Sequence, residues 1–318
     1  MPAAREDADL VRAAQLYFVD GLSQKEVAQE MHTTRSNVSR MLTAAKQRGV
    51  VQIRIHDPAG RDAGLENRLM EQFGLSEALV SRFQPGAPPA RTTGEIGGAW
   101  LVDRLRDGHS LALSWGTSLQ SLVWSVTTDQ TIDVEIMQLV GGLSQVSSAP
   151  TGQELVRELA VRLGARYRYL HAPAVLDRSE AVTALRRDRS IAEALQAARR
   201  SDIALVGIGA VGHGSSEAIV TQMRLSDAES EEFRAAEPAG DICARFFDRL
   251  GRPFLGAAND RILGITLEEL REIPTVVGVA TGREKGPGLV GALRGGFLDM
   301  LCCDEAAARA VLELTRRA

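Results

Sequence analysis

The sequence predicts an α/β protein in two parts: a small helix-turn-helix module followed by a larger domain built on a doubly wound sheet. Three observations carry this. The chain has 318 residues, more than one ordinary core organises. The first fifty residues repeat their apolar positions at helical spacing. From residue 77 onward, short apolar runs alternate with helical stretches, the pattern of parallel strands whose connecting helices cover both faces.

The helical module comes first. Leu10, Val11, Ala14, Tyr17 and Phe18 mark one helix, which Asp20-Gly21 ends. Ser23-Gln24-Lys25-Glu26 has the Ser-x-x-Glu form of a capping box and opens a second. Val38, Met41, Leu42 and Ala45 give a third helix its apolar face, leaving Ser36, Arg40, Thr43 and Gln47 on the opposite side, and Gly49 closes it. Residues 50–56 alternate with period two, as a half-buried strand does. Asp57-Pro58-Ala59-Gly60 then marks the boundary between domains 1–56 and 57–318. Leu65, Leu69, Met70 and Phe73 form a short linking helix that packs on its own domain or on a partner chain.

In the second part strands are expected at 78–82, 110–114, 134–140, 167–171, 203–208, 242–246, 275–280 and 297–302. Helices are expected at 94–106, 152–163, 190–200, 285–295 and 304–316. No repeat of solenoid period is present.

Charge separates the parts further. Residues 1–56 hold eight Lys/Arg against six Asp/Glu, while residues 57–318 hold 29 against 35. Between Thr33 and His56 lie five basic residues and no acid, a local basic patch on a chain of formal charge −4. Such a patch on a polar-faced helix behind a tight turn suits the major groove of double-stranded DNA. Thr33 or Thr34 caps this recognition helix, and Arg35, Ser36, Asn37, Ser39, Arg40 and Thr43 stand where base edges or phosphates would be met. The competing reading is a solvated face in a three-helix protein–protein module.

No apolar run approaches the ~18 residues of a membrane span, so no membrane partner is expected. The opening MPAAREDADL lacks the apolar core of a signal peptide, and three cysteines cannot build a disulfide framework. The cytoplasm is the expected compartment. No Cys/His spacing points to zinc and no Gly-x-Ser-x-Gly elbow is present, so neither metal nor cofactor is expected.

Ligands of parallel α/β sheets sit where strand ends meet helix starts, and three glycine-bearing junctions qualify. Ser114-Trp115-Gly116-Thr117-Ser118 runs from a strand into a hydroxyl-rich helix start, suited to phosphate; it would equally serve as a plain tight turn. Gly207-Ile208-Gly209-Ala210-Val211-Gly212 has the G-x-G-x-x-G spacing, but no clean helix is expected directly after it. Ala280-Thr281-Gly282-Arg283-Glu284-Lys285 places a lysine near a helix start, where an anionic ligand, or plain solvation of a loop, would keep it. Lysine is scarce: Lys25, Lys46 and Lys285 are the three in the chain.

Together SQKEVAQEMHTTRSNVSRML, GVVQIRI, SWGTSL, DIALVGIG, GDICARFFD, RILGITLEEL and VATGREKGPGLVGALRGGFLDMLCCDEAAA resemble the SorC family of bacterial sugar-binding transcriptional regulators over nearly the whole chain. The resemblance implies an effector domain similar in fold to glucosamine-6-phosphate deaminase and ribose-5-phosphate isomerase. It also implies a homo-oligomer, a tetramer or dimer, controlled by a phosphorylated sugar. On the family pattern Gly116, Thr117 and Ser118 hold the phosphate with Lys285, and Gln138 and Asp241 lie near the sugar. Ser114, Gly207 and Gly209 complete the expected effector site. The rival reading is a sugar-phosphate isomerase or deaminase with an appended helical domain. Residues 207–213 look like a deaminase loop, yet Val211 and Ala218 occupy the positions of its aspartate and glutamate. A valine cannot move a proton between sugar carbons.

Overall fold

The computed structural model describes residues 2–51, 60–143 and 151–316, and the chain divides into two compact units, Met1–Pro58 and Ala59–Ala318. The first unit holds three helices: α1 (Pro2–Ala14), continued by a π-helical turn Gln15–Val19, α2 (Gln24–Glu30) and α3 (Arg35–Gln47). The expected capping box is present: Glu26 N–H donates to Ser23 Oγ, and Ser23 N–H donates to Glu26 Oε2 at 2.8 Å. Ala13, Val27, Ala28, Val38 and Leu42 form the centre of this unit, and Leu10, Ala14 and Ala45 close it at one end. Between α2 and α3 the chain turns at His32, whose φ of 50° lies in the left-handed region, while Thr33 N–H reaches back to Ala28 O at 2.9 Å. Residues 52–56 of the expected strand lie outside the described residues.

The second unit is a seven-stranded sheet. Its strands are β1 (Glu77–Ser81), β2 (Ser110–Leu113), β3 (Glu135–Gln138), β4 (Arg166–Arg168), β5 (Ile203–Gly207), β8 (Thr275–Ala280) and β9 (Met300–Asp304). β6 (Gly240–Ile242) and β7 (Arg245–Phe247) form a separate antiparallel pair. The sheet runs β1-β9-β8-β5-β2-β3-β4 and every pairing is parallel. The chain leaves β2 towards β3 and β4, then returns to place β5 on the other side of β2. The order therefore reverses between β2 and β5, and right-handed crossovers in opposite directions put helices on opposite faces. Leu111, Leu113, Ile136, Leu205, Val277 and Leu301 are buried along the strands, as near-continuous apolar runs of a doubly covered sheet must be.

The sheet's first edge is covered from within. Arg61 bridges Ser81 antiparallel, Asp62 N–H donates to Val80 O, and Arg82 N–H donates to Gly60 O. The buried Glu66 accepts from Arg61 Nε at 2.8 Å and from Val80 N–H at 2.9 Å. Glu66 belongs to the linking helix Ala63–Phe73, whose Leu65 and Leu69 sit in the core of this unit.

Three expectations need correction. The segment 242–246 is no strand of the parallel sheet: it takes in the end of β6, the turn at Cys243-Ala244 and the start of β7. Cys243 and Ala244 take φ values of 53° and 62°, the two left-handed residues of a tight hairpin usually written with Asn or Gly. A helix does open directly after the glycine loop, at Gly214–Met223. The last strand begins at Met300 rather than 297, because Phe297 N–H closes the preceding helix on Ala292 O and Asp299 spans to β8 through Val276. The shortness of β4 has a cause too: Leu170 N–H donates to the Gln138 side chain at 2.9 Å instead of to a strand carbonyl.

Candidate functional site

The carboxyl ends of β2 and β5, where strand order reverses, open onto one cleft. Its walls are Trp115, Gly116, Thr117 and Ser118 after β2, Gly207 at the end of β5 with Ile208 and Gly209 beyond it, Ser215 and Ser216, Asp241 and Cys243 of the hairpin, Val279 near the end of β8, and Lys285 beyond that strand. Three helices begin at its rim, at Thr117, Gly214 and Gly286, so unpaired amides and the positive ends of helix dipoles converge there.

Local sequence explains the convergence. Gly116 precedes the first of these helices with a φ of 134°, a conformation open to glycine. Gly207, Gly209, Gly240 and Gly288 let backbones touch. A Cβ on Gly207 would lie 2.5 Å from Trp115 O, and one on Gly288 would lie 2.2 Å from Gly209 O. Ser118 and Thr281 share a hydroxyl hydrogen bond of 2.9 Å, tying the junction after β2 to the one after β8. Gly282 N–H in that last junction is held by the buried Asp304 at 2.9 Å.

Two charged side chains line the cleft, Lys285 and Asp241. Lys285 is half-buried at the start of the helix Gly286–Arg294 and forms no ion pair within 4 Å among the described residues. Asp241 is 5% exposed. Its Oδ1 accepts from Ser216 Oγ at 2.5 Å and its Oδ2 accepts from Ala244 N–H at 3.2 Å. Burial pushes its carboxyl above the ordinary carboxylate range, against the opposing pull of the Ser216 hydroxyl, the Lys285 charge and the Ala244 amide. Burial also raises the Cys243 thiol, helped by the neighbouring Asp241. Gly209 cannot carry a side chain here, since a Cβ would fall 1.8 Å from Asp241 Oδ1.

Of the nine expected effector residues, Gly116, Thr117, Ser118, Gly207, Gly209, Asp241 and Lys285 meet in this cleft. Ser114 and Gln138 stand behind it. Ser114 Oγ accepts from Gly207 N–H at 3.0 Å and so ties the end of β2 to the end of β5. Gln138 is 2% exposed, and its Nε2 has no hydrogen-bond partner among the described residues. Ser215, Ser216, Ile208, Cys243 and Val279 were not anticipated. The signal for the serines was present in the capping-competent run His213-Gly214-Ser215-Ser216 after a glycine loop.

In the first unit, α3 presents Arg35, Ser36, Ser39, Arg40 and Thr43 to solvent while Val38, Leu42 and Ala45 are buried. Thr34, not Thr33, caps the helix, accepting from Asn37 N–H at 3.2 Å, and Thr33 Oγ1 instead accepts from Asn37 Nδ2 at 2.9 Å. Arg35 and Arg40 form no ion pair among the described residues. The Lys46 ammonium stands 5.5 Å from the centre of the Phe18 ring.

The sugar-binding domain family Sugar-bind matches residues 57–313. The sorbitol operon regulator of Klebsiella pneumoniae is 30% identical over 96% of this chain and 97% of its own length. The full-length crystal structure of that regulator, SorC, superposes with a TM-score of 0.80 at 28% identity, covering 95% of this chain and 97% of the other. The chain belongs to the SorC family of sugar-binding transcriptional regulators. The deoxyribonucleoside regulator of Bacillus subtilis (strain 168) is 32% identical over 95% of this chain and 96% of its own length. The sugar-binding domain of a Vibrio fischeri transcriptional repressor superposes with a TM-score of 0.74 at 27% identity, covering 80% of this chain and all of the other.

Like these SorC relatives the protein is a transcriptional regulator and not an enzyme. Val211 packs against the core, and Ala218 and Glu217 face a separate cavity beside Val175 and Asp177 rather than the cleft. Among the described residues no helix is long and apolar enough to cross a membrane.

Proposed function

We propose that this SorC-family regulator is a cytoplasmic homo-oligomer, dimer or tetramer, whose affinity for double-stranded operator DNA is set by a phosphorylated sugar bound in the cleft of its C-terminal domain. Domain 1–56 reads DNA through α3, with Arg35 and Arg40 meeting base edges or phosphates beside Thr33, Thr34, Ser36, Asn37, Ser39 and Thr43. Domain 57–318 binds the effector.

One observation carries the reading: an ammonium with no carboxylate partner within ion-pair distance among the described residues, Lys285, shares a cleft with the amides and hydroxyls of Gly116, Thr117 and Ser118 at a helix start. A phosphate answers both. The buried Asp241 supports a polyol beyond it, because a fixed carboxylate accepts hydrogen bonds from sugar hydroxyls. A coupling of about 1–3 kcal/mol between the two domains changes operator affinity roughly 5–150-fold.

Thermal-shift titration with sugar phosphates and their unphosphorylated parents tests the first half. A binder present at 100 times its Kd stabilises by about 2.7 kcal/mol, and the parents should do nothing. Fluorescence anisotropy on DNA from upstream of the gene, with and without that binder, tests the second. No response to any phosphate ester, or identical DNA affinity with and without a bound ester, overturns the proposal.

A further inference from the structure

The turn that carries Lys285 also borders a further cavity. It lies between the end of β1, the start of the helix Pro89–Arg104, the turn Arg283–Lys285 and the start of the helix Glu305–Arg316, and it shares no wall residue with the cleft. Its volume is about 320 Å³, within the roughly 300–1,000 Å³ of clefts that hold small molecules. Phe83, Pro89 and Ala306 supply its apolar wall. Phe83 is 71% exposed, a large aromatic surface left to water with room beside it.

The charges on this wall are unbalanced. Arg82, Arg283 and Arg309 stand against two acids, Asp304 and Glu305, and both acids are committed. Asp304 is buried, and its Oδ1 accepts from Gly282 N–H and Ala307 N–H. Glu305 pairs with Arg309 at 2.6 Å and accepts from Phe83 N–H at 3.4 Å. Arg283 pairs with Glu313, which lies outside the wall. Of the three arginines, Arg82 is the one whose side chain has no partner among the described residues. An unpaired guanidinium beside an exposed aromatic ring suits a planar anion joined to an aromatic body, because two parallel N–H bonds hold a carboxylate while the rings pack.

We infer that this cavity is a second binding site, for an aromatic carboxylate held by Arg82 with its ring against Phe83, and that its occupancy is felt in the effector cleft. The link is short. Arg283 and Lys285 belong to one 3-10 turn, with Arg283 lining this cavity and Lys285 lining the cleft. Just before that turn, Gly282 N–H is held by Asp304 of this cavity, and the Thr281 hydroxyl bonds Ser118 of the cleft. A ligand packed against Arg283 and Asp304 therefore bears on the backbone that carries Lys285. The binding site is independent of the phosphate-ester reading above; the coupling rests on it.

The probe is 2-naphthoate, titrated calorimetrically into the full chain, with 2-naphthalenemethanol as its uncharged match. One naphthoate per chain should bind, and the alcohol should bind about tenfold more weakly or worse, since it forgoes the charge-assisted bonds. Arg82→Gln and Phe83→Ser, both at exposed positions, should each weaken naphthoate by about tenfold or more. Saturating naphthoate should change the affinity of a phosphate ester that binds wild type, by a factor within the roughly 5–150-fold of coupled sites, and the ester should change naphthoate affinity by the same factor. Absence of naphthoate binding, equal binding of the alcohol, or full binding in both variants overturns the site. So does an assembly that Phe83→Ser splits on sedimentation, which would give the cavity to a neighbouring copy. Naphthoate that binds without altering ester affinity overturns the coupling and leaves the site. Should no phosphate ester bind at all, the phosphate-ester reading fails and takes the coupling with it, while the naphthoate titration still decides the site.

Discussion

Gly282 donates its amide to Oδ1 of Asp304 across 2.9 Å, and the same oxygen accepts from Ala307 N–H at 3.2 Å. One buried carboxylate at the end of β9 thus caps the helix Glu305–Arg316 and holds the loop that leads to Lys285. Asp304→Ala leaves both amides unanswered. A buried donor without a partner costs about 1–3 kcal/mol, so denaturant unfolding should show a loss of about 2 kcal/mol or more. Phosphate-ester affinity should fall as the 281–285 loop loosens. Unchanged ester affinity in a destabilised variant would confine Asp304 to capping.

Lys285→Ala and Arg40→Ala should separate the two activities. The first removes charge-assisted hydrogen bonds worth roughly 1.5–3 kcal/mol each and should cost ten- to a hundredfold in effector affinity, with operator affinity in the absence of effector near wild type. The second should weaken operator binding and leave ester binding alone, since Arg40 is exposed on the face opposite Val38 and Leu42. A base contact would cost about 1–3 kcal/mol of discrimination, whereas a phosphate contact would lower the salt slope by about one without relaxing specificity. Anisotropy with salt titration reads both. A variant of either kind that behaves as wild type removes that residue from the site.

Gly209→Ala tests the closeness of the cleft wall. The new methyl would fall 1.8 Å from Asp241 Oδ1 and 2.2 Å from Ser216 Oγ, so the wall must shift. Overpacking of this kind costs about 1–3 kcal/mol. Thermal unfolding should record a lower midpoint and titration should record loss of ester binding. Retention of both would mean the loop after β5 yields more easily than its contacts imply.

Asp241 also sets a pH trend. Its carboxyl is raised by burial, so the folded protein binds that proton more tightly than the unfolded chain. Its contribution to stability then declines as pH rises from the unfolded value near 3.9 through the raised folded value. Carboxylates held down by capping bonds, such as Asp188 beside Ser190, give the opposite slope. The readout is therefore the difference between wild type and Asp241→Asn in unfolding free energy, measured from about pH 4 to 7. Wild type should lose ground relative to the variant as pH rises, and parallel curves would contradict the assignment.

Much of this was legible in the sequence wherever the determinant is local. The Ser23–Glu26 capping box, the buried face of α3 and the strands 203–208 and 275–280 follow from spacing alone, and the structure has Ile203–Gly207 and Thr275–Ala280 there. Six of the seven expected effector residues that meet in the cleft lie at glycine-bearing strand ends, themselves a local signal, whereas Asp241 is implied by the family resemblance alone. What escaped lacks the usual signal in the sequence. The Cys243-Ala244 hairpin has none of the usual turn residues, and its left-handed backbone is held by Asp241 and by the packing around it. Ser216 is an ordinary helix serine until Asp241, 25 positions on, reaches it. The Gly214–Met223 helix was hidden because its first residues are glycine and serines with weak helical preference.

The pairing of Gly60, Arg61 and Asp62 with β1 has a bearing on how pieces of the protein will behave in solution. A sheet's outermost strand offers a row of unsatisfied donors and acceptors that any other chain can adopt, and proteins escape aggregation by shielding it. Here three residues at the entrance to the domain supply the shield, fastened by the buried Glu66. A fragment that begins at residue 59 keeps its border closed. One that begins at residue 63 leaves Val80 and Arg82 bare and should self-associate through β1, a difference that light scattering would register at once.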